Sequence, residues 1–262
     1  MDPHVLFTGT SDETTAALWA RLRKENLDLG QLADVNFGKQ LRNRKQFTKD
    51  VIEVSGLEDV VAPYKPCYTG RDASRYFLQW NRLACLDQEV ARRGGCWDAQ
   101  KQDAKDKIIT RQIGEYPDFA IDHLGYQCLN TMFMINLRGT ALGTLFVLGV
   151  LNSKLLRHFW IDRFYDQRKT FPKIKGTYLK KLPIRAIDFS DPEDVARHDQ
   201  MVGLVEWMLE LHERLAGARI ERERTVIGHQ ISATDRQIDR LVYELYGLTD
   251  EEIKIVEEAT ER

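Results

Sequence analysis

The sequence predicts an α+β protein: a mixed or antiparallel sheet domain over 1–187, with a short N-terminal helix and one long helix near 142–164, then a C-terminal helical region over 188–262 with long helices. Three observations predict it. Between Gly30 and Leu137, short runs of β-formers are separated by Gly, Pro, Asn and Asp, without the strand-to-helix alternation of a doubly wound sheet. After Asp191 the apolar residues recur at helical spacing. Charge also changes sign near the boundary: 121–185 holds eleven basic residues against Asp122, Asp162 and Asp166, while 186–262 holds nine basic and nineteen acidic residues.

The elements follow in order. Thr10-Ser11-Asp12-Glu13 has the form of a capping box, and Leu18 and Leu22 behind it extend a first helix to about Glu25. Strands are expected at Leu32–Phe37, Val51–Val54, Val60–Tyr64, Tyr76–Trp80, Ile108–Arg111, Phe119–Asp122 and Met132–Leu137. Leu142 to about Phe164 reads as one helix, apolar at its start and basic at its end, and Gln167–Thr177 as a basic loop. Asp191-Pro192-Glu193 is a helix start with Asp as N-cap and Pro in the first turn. Met201, Leu204, Val205, Met208, Leu211 and Leu215 give the following helix an apolar seam. Thr234-Asp235-Arg236-Gln237 and Thr249-Asp250-Glu251-Glu252 are expected to open two more helices, with Gly247 closing the first.

Several functions are disfavoured. With 43% hydrophobic and 30% charged residues the chain has the balance of a folded soluble protein. The longest apolar run, Ala141–Leu151, is too short to span a bilayer, and the N-terminus lacks the pattern of a signal peptide, so a cytoplasmic location without membrane partners is expected. Cys67, Cys85, Cys96 and Cys128 lack metal-ligand spacing and read as buried thiols. The six histidines form no metal or nucleophile pattern, so no metal site is expected. Phe7-Thr8-Gly9-Thr10 is not a cofactor loop, and none of the seven prolines sits in an Asn/Asp-Pro-Pro-Tyr motif of an adenine methyltransferase. Pro117-Asp118 starts a magnesium nuclease motif that no nearby acidic-x-Lys completes; Glu252-Ile253-Lys254 lies in the terminal helix. Catalytic residues are therefore not expected on this chain, although magnesium chemistry around Asp118 and Asp122 stands as a third alternative.

The positive signal is cationic. Net charge is only −2, but the basic stretch of 121–185 mixes Lys and Arg with Trp160, Tyr165, Phe171 and Tyr178, and a second cluster, Lys39, Arg42, Arg44, Lys45 and Lys49, stands near the N-terminus. Lysine and arginine neutralise phosphates, and arginine also grips guanine edges with two parallel hydrogen bonds. A concave cationic face built from the early Arg-rich turn and the stretch before the acidic tail is expected. The alternative is a helical protein-interaction or adaptor protein working through its acidic C-terminal helices.

Five blocks in order resemble one known family. Tyr64-Lys65-Pro66, Gly70-Arg71-Asp72 and Arg75-Tyr76 resemble its "Y-x-P-x-x-x-G-R-D-I-x-R-Y" block. Lys107–Gly114 resembles "K-I-x-x-R-x-I-G" and Leu151–Leu156 "L-L-N-S-K-L-L". Phe171–Lys175 with Tyr178–Ile184 resembles the "F-P-x-L-K-x-x-Y-L-x-x-L-P-I" exit, and Ile238–Thr249 the closing "I-D-x-L-V-Y-x-L-Y-G-L-T". The family is the TaqI-like C-terminal specificity domain of Type IIG (Eco57I-like) restriction-modification enzymes; Ala73 stands where it usually has Ile. The resemblance implies a target-recognition domain reading double-stranded DNA, partnered in cis or in trans by an adenine methyltransferase/endonuclease core, with S-adenosylmethionine and magnesium only on those catalytic regions. The residues expected to meet DNA are Arg42, Arg44, Lys45, Arg71, Arg75, Arg111, Lys154, Arg157, Arg168, Lys169, Lys173, Lys175 and Tyr178. Arg71 has a competing expectation, a structural pairing with Asp72.

Overall fold

A computed structural model describes residues 13–165 and 172–260. Contacts divide the chain into two compact units: a sheet unit, Ala33–Arg138 with Lys173–Thr177, and a helical unit made from the described parts of Met1–Leu32, Gly139–Pro172 and Tyr178–Arg262. In this division the chain enters the sheet unit at 33, leaves it at 138 and returns briefly at 173–177.

The sheet unit contains β1 (Ala33–Phe37), β2 (Val51–Glu53), β3 (Tyr64–Tyr68), β4 (Leu83–Leu86), β5 (Lys107–Arg111), β6 (Phe119–Asp122), β7 (Gln127–Cys128) and β8 (Met132–Leu137). One sheet is antiparallel throughout, in the order β6-β5-β8-β1; the other, β7-β3-β4-β2, is mixed because β7 pairs with β3 in parallel. The expected strands at 33–37, 51–53, 107–111, 119–122 and 132–137 form. The expected strand Val60–Tyr64 does not: pairing begins at Tyr64 and runs to Tyr68 against β4, while 60–63 belongs to the preceding turn. Tyr76–Trp80 shrinks to Phe77–Leu78, paired with Ala73–Ser74 in a tight hairpin whose tip residue Tyr76 has φ 60°. Ile109, Met132, Met134, Ala120, Cys128 and Tyr68 form one buried cluster. Burying an aliphatic side chain of this size stabilises by about 1.5–3 kcal/mol.

A buried ion pair fixes the far edge of that unit. Lys107 and Asp122 face each other across β5 and β6, both fully buried, 2.5 Å apart. Asp122 also accepts from the backbone N–H groups of Leu124, Gly125 and Tyr126, so the carboxylate that closes the 122–126 turn has its lone pairs filled. Gly125 turns there at φ 76°, where a Cβ would meet the Asp103 carbonyl at 2.5 Å. Nucleophile or metal-ligand duty at Asp122 would require dismantling this turn.

The helical unit holds α1 (Glu13–Glu25), α2 (Gly143–Leu151), α3 (Lys154–Phe164), α4 (Pro192–Gly217), α5 (Glu221–Leu245) and α6 (Asp250–Thr260). Two expectations change here. The helix over 142–164 is broken into α2 and α3: Ser153 leaves helical geometry and caps α3, its hydroxyl accepting from the Leu156 N–H. The box at Thr234 opens nothing, because α5 runs through it and the Thr234 hydroxyl donates back to the Gln230 carbonyl. The other caps form. Asp191 accepts from the Glu193 N–H, and Thr249 and Glu252 exchange reciprocal bonds at 3.3 and 2.9 Å. The first box, Thr10–Asp12, lies outside the described residues.

The apolar seam of α4 is used within the unit. Met201 and Val205 lie so close to Gly149 of α2 that a Cβ there would come within 2.5 Å of the Met201 sulfur, and Leu211 packs with Ala218 and Ile227 where α4 turns back into α5. Trp19 ties α1 to α3, donating to Asp162 at 3.0 Å and packing edge-on against Phe159. Among the described residues no helix is long and apolar enough to cross a membrane.

Candidate nucleic-acid interface

The expected DNA-meeting residues divide between the units. Arg42, Arg44, Lys45, Arg71, Arg75, Arg111, Lys173 and Lys175 belong to the sheet unit; Lys154, Arg157 and Tyr178 belong to the helical unit; Arg168 and Lys169 lie outside the described residues.

In the sheet unit two adjoining grooves gather the cations. The first, about 790 Å³, is lined by Arg42, Asn43, Arg44, Gln46, Arg93 and Asn130, among others. The second, about 760 Å³, is lined by Thr69, Gly70, Arg71, Arg111, Ile113 and neighbours. Arg44 and Thr131 border both, so the two grooves adjoin. Five arginines and no carboxylate line them, so an anionic partner is favoured. Lys173 reaches the same neighbourhood by pairing antiparallel with Ile113, supported by the Ile174 N–H to Gln112 carbonyl bond at 2.8 Å.

These cations fall into two kinds. Arg44, Arg71 and Arg93 are exposed and make no ion pair among the described residues. The alternative for Arg71, a pairing with Asp72, does not form: Asp72 is buried and accepts instead from the Thr69 and Asn81 N–H groups and the Thr69 hydroxyl, which shapes the turn and leaves Arg71 pointing outward from it. Arg42 and Arg111 are held. Arg42 grips the buried Asp50 with Nε and Nη2 at 2.9 and 2.5 Å and lies over the Phe47 ring. Asp50 holds the Arg42 guanidinium above its ordinary pKa through these hydrogen bonds. Arg111 is bound by Asp118 at 2.8 Å with its side chain 37% exposed.

Lys39 of the early cluster and Lys154 of the helical unit are held in structural pairs. Lys39 is buried, paired with Asp87 and set over the Trp97 ring. Burial alone would raise the Asp87 carboxyl, but hydrogen bonds and charge from Lys39 and Lys65 outweigh it and hold the group below the usual carboxylate range. Lys154, expected to meet DNA, instead pairs with Glu257 of α6, and its N–H donates to Asp239 of α5. Arg157 is half-buried on α3. Tyr178 stacks on Phe164 at 4.9 Å, an aromatic core role that a single polar-aromatic residue in a basic run does not reveal. Arg75 sits at the 73–78 hairpin tip, over the Tyr76 ring.

Sequence reasoning missed Arg93, Asn130 and Thr131. Arg93 reaches the groove because Arg92–Gly94 pairs with Gln40–Leu41, and the other two because the β7–β8 turn falls beside Gly70, whose N–H donates to the Thr131 hydroxyl at 2.8 Å. The only sequence signal was the adjacent pair Arg92-Arg93 before Gly94-Gly95. Of the two carboxylates around which magnesium chemistry was the alternative, Asp118 is engaged by Arg111, and Asp122 by Lys107 and three N–H groups.

Residues 65–184 match the model of the TaqI-like C-terminal specificity domain. No curated protein sequence matches the chain significantly. Among solved structures, the Type IIL restriction-modification enzyme MmeI, determined in complex with DNA, aligns with a TM-score of 0.53 at 8% identity, over 90% of this chain and 37% of that one. A chain of a type I restriction-modification system gives 0.43 at 10% identity over 89% and 53%. The HsdS subunit from Thermoanaerobacter tengcongensis gives 0.36 at 12% identity over 94% and 50%. The MmeI likeness bears on fold alone, and the other two carry no weight; this chain spans just over a third of the MmeI chain. Residues 65–184, a little under half of the chain, are thus similar to the TaqI-like C-terminal specificity domain.

Proposed function

We propose that the chain is the sequence-specific double-stranded DNA recognition module of a restriction-modification system, and that the paired grooves of the sheet unit are its DNA-binding surface. The observation that carries this reading is the lining of Arg42, Arg44, Arg71, Arg93 and Arg111, free of carboxylates, inside or beside the specificity-domain segment. The exposed Arg44, Arg71 and Arg93 are suited to phosphates, while the interleaved Asn43, Gln46, Asn130 and Thr131 present amide and hydroxyl groups suited to base edges. Lys45, Lys173 and Lys175 lie exposed in the same unit and extend the positive field.

Strand separation, methyl transfer and cleavage belong in this reading to partner regions: an adenine methyltransferase/endonuclease core of Type IIG character, in cis or in trans, carrying S-adenosylmethionine and magnesium. Such systems act on DNA in the cytoplasm. The helical unit, whose acidic side chains neutralise its own cations, is suited to dock that core without competing for DNA.

Duplex binding at two salt concentrations tests the proposal. With six or more phosphate contacts, affinity should fall roughly a thousandfold between 50 and 200 mM salt. An affinity that stays flat over that range contradicts it and favours the adaptor reading, in which the acidic helices capture a protein partner.

A further inference from the structure

Resting on the DNA-reading proposal above, we propose that Arg111 is the specificity-determining residue that reads a guanine edge, with Asp118 as its positioning residue, while Arg44, Arg71 and Arg93 hold phosphates without reading sequence.

Base reading and phosphate holding make different demands. A phosphate accepts a cation from many directions, so a mobile side chain serves; a guanine edge offers two acceptors in one plane, and only a guanidinium fixed in orientation discriminates it from other bases. Arg111 is fixed from three sides. Its Nη2 donates to Asp118 at 2.8 Å. Its Nε is buried, and Gly114 packs beside it, where a Cβ would stand 3.2 Å from that atom and press on the guanidinium. A Cβ on Gly70 would lie 3.5 Å from the Arg111 Cβ and 2.9 Å from the Thr131 carbonyl. The strand end, the 114–118 turn and the 69–72 turn thus form a cradle around one side chain.

Fixing does not exhaust its donors. Asp118 takes one proton of Nη2, and among the described residues Nη1 has no acceptor, so the Nη1 protons and one Nη2 proton remain for a planar pair of acceptors. Arg42 differs: Asp50 occupies both Nε and Nη2, and Phe47 covers the guanidinium face, so it buttresses the loop. Arg44, Arg71 and Arg93 have no such carboxylate partner among the described residues.

Selection from a random duplex pool with the full chain tests the assignment. The wild-type chain should enrich a site with guanine at one position. Arg111→Ala should still bind but lose discrimination at that position alone, by about 10- to 100-fold, with Arg111→Lys failing to restore it. Asp118→Asn should broaden preference at the same position without changing the salt slope, an effect that a merely structural role would not confine to one base pair. Arg71→Ala should weaken all sequences alike and reduce the salt slope by about one. A uniform loss in Arg111→Ala, or unchanged selectivity, overturns the inference while leaving the DNA-reading proposal intact. No enrichment or binding by the wild-type chain overturns that proposal itself.

Discussion

Both units pair cations with carboxylates, and the sheet unit in addition lines its grooves with Arg44, Arg71 and Arg93. In the helical unit the cations meet carboxylates: Lys154 meets Glu257, Arg185 meets Asp194, and Arg21 meets Glu252 at 2.7 Å. Asp194, Glu252 and Glu257 of the acidic stretch 186–262 are thereby drawn into folding. In the sheet unit Arg44, Arg71 and Arg93 stand in grooves with no acid on their walls. A net charge of −2 conceals this division. The lesson is that cations count toward a DNA surface only after the local carboxylates have been assigned to their own partners.

That comparison can be strained from several sides. The largest effect is expected where charge is buried deepest. Asp122→Ala leaves the Lys107 ammonium without its partner in a fully enclosed site, and denaturant unfolding should register a loss of about 3–5 kcal/mol. A loss below 1 kcal/mol would show that the pair is not the sheet unit's anchor.

Next comes the packing that joins α2 to α4. Gly149→Val pushes a branched side chain into Met201 and Val205 and should cost about 1–3 kcal/mol, while duplex affinity of the folded variant stays unchanged because the helical unit does not hold DNA in this account. Thermal unfolding and a binding titration on the same preparation check both halves.

Acid should separate the units. Burial lowers His158 from its usual 6.5, with Asp162 opposing, so the folded helical unit prefers the neutral ring. The unfolded chain therefore binds the proton first, and stability falls as pH drops through 6.5 toward the lowered value. Asp87 in the sheet unit is held below its usual 3.8, so its contribution is complete above that pH and disappears only as pH falls through the lowered value. Hydrogen exchange of peptides from each unit, corrected for intrinsic rates, should show α3 loosening between pH 6.5 and 5 while β3 and β4 keep their protection. Simultaneous loosening of both would contradict the assignment.

Smallest of all, Lys154→Ala should change stability by less than about 1 kcal/mol, since its pair with Glu257 is about one-third exposed, and should leave duplex affinity where it was.

Much of the fold was legible because its signals are local. Asp191-Pro192 and Thr249–Glu252 cap their helices as their side chains dictate, and the β-former runs at 107–111, 119–122 and 132–137 pair as expected. The same locality misled at Ser153 and Thr234. Each carries a hydroxyl suited to a cap, but whether the helix stops depends on what packs around it: Ser153 breaks a run of apolar residues, and Thr234 sits inside a helix that continues. The site was half legible. The Gly70-Arg71-Asp72 and Lys107–Gly114 blocks pointed to Arg71 and Arg111. The pairs of Lys39 with Asp87 and of Lys154 with Glu257 were not legible, because the partners are 48 and 103 residues away. Arg93 and Asn130 arrive by strand pairing and a turn that linear charge does not encode.

The most direct measurement compares salt slopes of duplex binding for three full-length chains: wild type, Arg44→Ala/Arg71→Ala/Arg93→Ala, and Arg21→Ala/Lys154→Ala. The sheet-unit triple variant should lower the slope by between about two and three, near 0.9 for each lost phosphate contact, while the helical-unit variant matches wild type. Equal slopes for wild type and the triple variant, or a lower slope in the helical-unit variant alone, would contradict the claim that the unpaired arginines of the sheet unit hold DNA.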